Sequence, residues 1–208
     1  MRLHKKTIAM VNNIIKILLL VVIIVLVYLV YESVMGPVRF NKDVDKRNKA
    51  VVQNLRDIRN AEITYKTIHG KYMSDFDTLI DFLKNGEIPV VKMVPDPEDT
   101  TFTKTIRDTL GYIAVKDSLF GDRVAFAVED LKYIPFTENE MFNLDAGIIE
   151  KGGVDVNVFE ASVHYKVYLN GLDEQKVINL IASKEQIEKY AGLKVGSMTE
   201  ASTDGNWE

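Results

Sequence analysis

The sequence predicts an α+β protein: an N-terminal transmembrane helix, an amphipathic stem helix, a short helix, and then an antiparallel β-sheet domain. Three observations predict it. Residues 14–35 form an apolar run whose only charges are Lys16 and Glu32. Residues 44–68 repeat apolar side chains at helical spacing, and beyond residue 87 the period shortens to two. Helices first and strands afterwards is the element order of an α+β fold with an antiparallel sheet.

The run at 14–35 is long enough to span a hydrocarbon core, which takes roughly 20 helical residues. A buried core helix this apolar on every face would need a large surrounding core. A cleaved signal peptide would have a shorter apolar region ending in small residues, whereas this one ends in Tyr28, Tyr31 and Glu32. We therefore expect residues 1–13 to be a cytoplasmic N-terminus and 14–35 an uncleaved anchor. Lys16 is expected to snorkel to one interface, and Tyr28 and Tyr31 to form an aromatic belt at the other. Basic residues flank both ends: Arg2, Lys5, Lys6 and Lys16 before, and Arg39, Lys42, Lys46, Arg47 and Lys49 after. With the two flanks so balanced, the positive-inside rule favours neither orientation. The short acid-free first flank and the distal tyrosines favour an inside N-terminus, which puts the C-terminal domain in the periplasm of a bacterial inner membrane.

Gly36-Pro37 marks a bend or break, since a proline sits poorly in a continuing helix. From Asn41 a stem helix follows, with Val44, Val51, Leu55, Ile58, Ala61, Tyr65 and Ile68 as one apolar stripe. Val51, Leu55, Ile58 and Tyr65 are its expected packing residues. Lys46, Arg47, Lys49, Arg56, Asp57, Arg59, Glu62 and Lys66 read as its solvated faces. Gly70 supplies a left-handed cap. Ser74 with Asp77 reads as a capping box for a second helix bearing Phe76, Leu79, Ile80 and Leu83, closed by Asn85-Gly86, so the helical region is 41–86.

Residues 87–195 are expected to be β-rich. Residues 88–94 read as a strand leading into the polar turn Pro95-Asp96-Pro97-Glu98-Asp99. Residues 112–115 and 123–128 read as a hairpin around Gly121-Asp122, and Phe142, Leu144, Ala146 and Ile148 as one turning at Lys151-Gly152-Gly153 into Val154, Val156 and Val158. Alternation at Val163, Tyr165, Val167 and Leu169 predicts a further strand, and residues 176–181 another. Ser183 with Gln186 predicts a short helix carrying Ile187 and Tyr190 and ending at Gly192. Residues 196–208 read as a loose polar tail on which Trp207 alone is positioned to dock. One sheet face should be buried under a helix and the other open to water.

Composition narrows the chemistry. The 208 residues carry a net charge of -4 with a pI near 5.5 and no basic stripe, which argues against nucleic acid as a partner. With no cysteine, disulfides, thiolate metal sites and a Cys nucleophile are excluded. The three histidines, His4, His69 and His164, lack metal-binding spacing and read as surface or capping residues. No Gly-x-Ser-x-Gly elbow, Walker loop or dinucleotide fingerprint occurs. Asp75, Asp77 and Asp81 sit where a helix dipole favours acids, and Asp96, Glu98 and Asp99 lack the EF-hand spacing for calcium. No catalytic residue, cofactor or metal is expected.

Residues 65–79, YKTIHGKYMSDFDTL, together with the element order, resemble type IV pilins and the pseudopilins of type II secretion. Tyr65, Gly70, Tyr72 and Leu79 occupy places that such proteins mark with an aromatic, a Gly, a Tyr and a Leu, while Met73 stands where a Pro commonly follows that Tyr. The resemblance spans about the first 90 residues, by element order and this local match. It stops at the processing site, because no Gly precedes Ile14 and no Glu precedes the apolar core, so it implies a fixed anchor that keeps residues 1–13. The segments LKYIPF, VFEA, GLKVGS and GNWE are similar to uncharacterised bacterial single-pass proteins. The expected function is a non-enzymatic, membrane-anchored subunit or scaffold of an envelope assembly, with the lipid bilayer and other envelope proteins or further copies of itself as partners. The alternative is a membrane-tethered ligand-binding domain or enzyme whose site is too scattered to read.

Overall fold

The computed structural model describes residues 2–95, 105–123 and 126–208, with side chains placed for 15–92, 109–123 and 126–208. The fold is α+β, with a long N-terminal helix, a short second helix and antiparallel sheets. Two units divide it, Met1–Lys46 and Arg47–Glu208.

Helix α1 (Arg2–His69) supplies all that is described of the first unit. Its apolar run is exposed: from Ile15 to Val34 the large apolar side chains are 46–66% exposed, Tyr28 and Tyr31 among them. It is one helix long and apolar enough to cross a membrane. The expected break at Gly36-Pro37 is absent, and Pro37 lies inside the helix. Proline disfavours helix in the preceding residue partly through that residue's Cβ, which Gly36 lacks. Glu32 and Arg39, seven residues apart, pair at 2.9 Å across the site, a spacing two helical turns provide.

In the second unit α1 buries Val51, Leu55, Ile58 and Ala61 completely and Tyr65 nearly so, while Ile68 at its end is exposed. Gly70 closes the helix at φ 77, its N–H bonded to Lys66 O at 2.8 Å, a conformation a glycine adopts without strain. Two of the residues read as solvated are buried, Asp57 and Glu62. Glu62 stands four residues after Ile58 and three before Tyr65, which is the middle of the apolar stripe rather than its flank.

The cap of α2 (Phe76–Asn85) is Asp75 and not Ser74. Its carboxylate accepts the Thr78 N–H at 2.8 Å and the Thr78 hydroxyl at 2.6 Å. An ionised acceptor at the N-cap satisfies an orphan N–H and meets the positive end of the dipole. Phe76, Leu79, Ile80 and Leu83 form the buried face. At Gly86 a Cβ would lie 2.4 Å from Phe82 O, so the chain leaves the helix where no side chain fits.

Strand β1 (Glu87–Pro95) pairs with β2 (Thr105–Ala114) in a two-stranded antiparallel sheet, with a bulge at Val90/Val91. The expected hairpin around Gly121-Asp122 is therefore not formed. Its first arm belongs to β2, and Val115, fully buried, opens helix α3 (Val115–Phe120) instead. Its second arm leads into a 3-10 turn, Val128–Lys132. The acidic turn at 96–99 lies outside the described residues.

The second sheet is β3 (Asn143–Lys151), β4 (Val154–His164) and β5 (Gly192–Gly196), in the order β3-β4-β5 and antiparallel throughout. Gly152 and Gly153, at φ 63 and 79, make the two-residue turn between β3 and β4, a geometry that needs left-handed residues at both positions. Registration places Leu144, Ala146, Phe159, Ala161, Val163, Leu193 and Val195 on one face and Asp145, Gly147, Val158, Glu160, Ser162 and Lys194 on the other.

Three expectations fail beyond His164. The Val163–Leu169 alternation does not continue as a strand, because His164 Nδ1 accepts the Lys166 N–H and starts helix α4 (Tyr165–Tyr168). Residues 176–181 are helical within α5 (Glu174–Glu185), which Asp173 caps through Lys176 N–H. Ser183 is no cap; its hydroxyl donates back to Leu180 O at 2.7 Å, and Gly192 opens a strand rather than ending a helix.

The tail is ordered and not loose. Gly196 N–H bonds to Asp204 O, Asn206 N–H to Lys194 O and Asn206 Nδ2 to Gly192 O, so residues 204–206 cover the outer edge of β5. Met198 folds over Gly147, where an added Cβ would meet it at 3.1 Å, and roofs part of the polar face expected to be open. Central strand β4 is buried on both faces, at Val158 and Ser162 on one and Phe159, Ala161 and Val163 on the other.

Removing the Leu55 side chain beyond Cβ tests how far this packing depends on the stripe of α1. Leu55→Ala should cost roughly 2–5 kcal/mol, against well under 1 kcal/mol for Ile63→Ala at a site already 40% exposed. Urea unfolding of the detergent-solubilised chain, followed by far-UV circular dichroism, measures the difference.

Candidate functional site

The second unit concentrates its buried charge along one stretch of α1. Five residues separate two carboxylates, Asp57 and Glu62, that the fold treats in opposite ways.

Asp57 is paired. Its oxygens accept Arg123 Nη1 at 2.8 Å and Nη2 at 2.6 Å, and Gln53 Nε2 adds a bond at 3.0 Å. Arg123 follows the end of α3, with its guanidinium 5.2 Å from the Phe120 ring centre and 4.8 Å from that of Phe126. The planar fork thus satisfies the carboxylate edge-on while its faces meet rings. The bond to Asp57 pushes the guanidinium further up from its ordinary range.

Glu62 has no such partner. Oε2 accepts the Met73 N–H at 2.9 Å, from the loop after α1, and Oε1 is buried with no hydrogen bond among the described residues. Burial pushes its carboxyl up to about 7, against the opposing pull of the Met73 amide. The loop is tied down nearby as well. The Tyr72 ring lies 4.7 Å from that of Phe159 on the apolar sheet face. Lys66 Nζ sits 4.5 Å above the Tyr72 ring centre and 3.5 Å from Asn157 O of β4, and Asn157 Nδ2 donates to Gly70 O at 3.2 Å. Tyr65, the expected packing residue closest to this junction, stacks on His69 at 4.2 Å and meets Phe82 edge-on at 5.0 Å.

A groove of about 660 Å³ lies elsewhere, between α4 and α5, lined by Leu169, Leu172, Val177, Ile178 and Ile181 with Lys166 and Glu174 among its polar members. Arg47 stabilises the end of α4 by donating to Tyr168 O at 2.7 Å and Asn170 O at 2.8 Å. Tyr168 donates its hydroxyl to Asn48 Oδ1 at 2.6 Å, and burial pushes that hydroxyl up. The groove contains neither Asp57 nor Glu62 among its lining residues.

The histidines do structural work where they are described. His164 starts α4, and His69 Nδ1 lies 3.2 Å from Tyr65 O at the end of α1. Asp75, Asp77 and Asp81 are engaged separately, by Thr78, by Lys132 at 2.8 Å and by Asn85 at 2.7 Å. Among the described residues no group of three metal-ligating side chains comes together. Lys16, Tyr28 and Tyr31, expected at the membrane interfaces, all lie on the exposed apolar part of α1, and Val51, Leu55, Ile58 and Tyr65, expected to pack the stem, all lie in the core.

Sequence reading misses Glu62 and the Asp57–Arg123 pair. The position of Glu62 between Ile58 and Tyr65 is a visible signal. Nothing local links Asp57 to Arg123, 66 residues away. Comparison with family models, with curated proteins and with solved structures finds no match to this chain.

Arg123→Leu should cost about 3–5 kcal/mol by leaving a buried carboxylate without a cation. The double variant Arg123→Leu with Asp57→Leu should recover much of that loss. Thermal unfolding of both variants tests the pair.

Proposed function

We propose that the chain is a single-pass membrane protein whose C-terminal domain acts through protein contacts, as a subunit or scaffold of an envelope assembly, pilin-like in build. The observation that carries this reading is the apolar stretch of α1, long and apolar enough to cross a membrane and with exposed side chains from Ile15 to Val34. In water that much continuous apolar helix is a liability, whereas a bilayer solvates it and the helix satisfies its own backbone. The short acid-free flank before it, and Tyr28 and Tyr31 beyond, favour an inside N-terminus with the domain in the periplasm. Of the residues that carry the resemblance to pilins and pseudopilins, Tyr65 at the end of α1 meets Phe82, Gly70 O accepts Asn157 Nδ2, Tyr72 in the loop packs on Phe159, and Leu79 is buried in α2. A fixed anchor, not a filament subunit, fits the Lys16 flank and the lack of a processing site.

A second reading, a tethered ligand-binding domain, is favoured by one observation, the groove between α4 and α5 with its apolar floor and a Lys and a Glu at hand. A photo-cross-linking residue at Ile178 separates the two in intact membranes. Discrete protein adducts favour the scaffold; a cross-linked small molecule favours the ligand-binding domain.

Membrane anchoring predicts that the chain resists extraction by alkaline carbonate. The double variant Ile23→Asp with Leu26→Asp should release it, since each acid near the helix centre costs about 2.5–3.5 kcal/mol of insertion. Wild-type protein in the carbonate supernatant would overturn the anchor. For orientation, alkaline phosphatase fused after Glu208 should be active and a cytoplasmic fluorescent reporter at the same place dark. The reverse pattern would place the domain on the other side.

A further inference from the structure

We propose that Glu62 is a proton-controlled latch on the loop that follows α1: neutral, its carboxyl stays buried and holds Met73; ionised, it favours an opened loop in which water reaches it.

The geometry supplies each part of the device. The side chain is fully buried, one oxygen accepts the Met73 N–H at 2.9 Å, and the other has no partner among the described residues. A buried carboxylate with one oxygen unsolvated is costly, and a neutral carboxyl much less so. The latch acts on a short segment between two helices, α1 ending at His69 and α2 starting at Phe76. Few residues must move to admit water.

The charged and titratable groups around the junction, the exposed Lys71 apart, are engaged with other partners. On α1, Lys66 is held against Tyr72 and Asn157 O, and Tyr65 and His69 stack together against Phe82 of α2. In the loop, Tyr72 packs on Phe159 of β4, and Lys71 is exposed. At the start of α2, Asp75 caps Thr78 and Asp77 pairs with Lys132; on the sheet, Glu160 pairs with Lys194. Among the described residues none of these forms a hydrogen bond or ion pair with Glu62, so burial and the Met73 amide set its behaviour.

Linkage fixes the sign. The closed state holds the proton up to about 7, while an opened state with a hydrated carboxyl releases it near the ordinary 4.5. Closure is therefore strongest below the ordinary value and weakens as pH rises through the window between the two. Above the upper value both states are ionised and the balance levels off. Between those limits the open fraction grows about tenfold per pH unit. The loop is tight in mildly acidic surroundings and looser at neutral pH and above.

The test uses the full chain in lipid nanodiscs. Carboxyl-carbon NMR of Glu62 reads its titration, and hydrogen exchange of the Met73 amide, corrected for intrinsic rates, reads the loop from pH 4 to 8.5. Leu83 in α2 serves as a core reference. We expect Glu62 to titrate near neutrality. Met73 protection should fall on the order of 100-fold across the window and then level, while that of Leu83 does not follow it. In Glu62→Gln, which keeps an acceptor oxygen but cannot ionise, Met73 protection should be flat with pH. Titration of Glu62 in the ordinary carboxylate range would overturn the latch. So would a Met73 profile shared by Glu62→Gln, or one shared by Leu83, which would mean global rather than local opening. Should Glu62→Gln fail to fold, the wild-type titration and the Met73–Leu83 comparison decide by themselves.

Discussion

Burial of one face of α1 is the constraint from which the folded unit is built. From Val51 to Tyr65 that face is sealed from water. At roughly 1.5–3 kcal/mol for each fully buried large apolar side chain, it is a leading favourable contribution to the domain. The polar groups on either side of the stripe then fasten α1 to the elements around it. Arg47 and Asn48 reach α4, Asn54 reaches Tyr133 O, Asp57 holds Arg123, Arg59 pairs with Glu208 at 2.9 Å, and Lys66 reaches β4. Each bond is modest alone, near 1 kcal/mol net. Their placement along one rigid helix orders connections that come from distant parts of the sequence.

Legibility follows the range of the interaction responsible. The stripe of α1, the left-handed cap at Gly70, α2 and the Gly152-Gly153 hairpin depend on neighbours within a few residues, and their signals stand in the sequence. Where two local readings compete, a cap or neighbour a few residues away decides between them. Residues 163–169 alternate like a strand, but His164 captures the Lys166 N–H and turns the chain into α4. Val177 and Ile178 suit a strand by propensity, yet Asp173 caps a helix through them. Ser183 and Gln186 imitate a capping box inside the end of that helix. Pro37 predicts a break by its usual effect, and the glycine before it removes part of the reason for that effect.

The sheet shows why the tail is not loose. An exposed outer edge on β5 would present unpaired N–H and C=O groups to any passing chain. Residues 204–206 occupy that edge, Met198 covers Gly147, and Glu208 ties the end of the chain to α1. The composition of this segment, rich in Ser, Thr and acids, conceals its role because the pairing uses backbone groups that every residue possesses. Its one large aromatic, Trp207, folds back over Gly205, where a Cβ would come within 2.4 Å of the indole.

The two buried carboxylates of α1 distinguish structural charge from responsive charge. Asp57 is given a bidentate cation and an amide, so its ionised form is satisfied and the pair behaves as a fixed joint. Glu62 occupies the better-shielded position, at the centre of the stripe, with one backbone N–H and an empty second oxygen. A leucine there would complete the apolar face but leave the Met73 N–H without its acceptor. What the carboxyl adds is dependence on protons. Its neutral form keeps the end of α1 closed against the loop, and its ionised form shifts the balance toward an open one. The consequence lies where the loop carrying Tyr72 meets the sheet, and not in the remainder of the core.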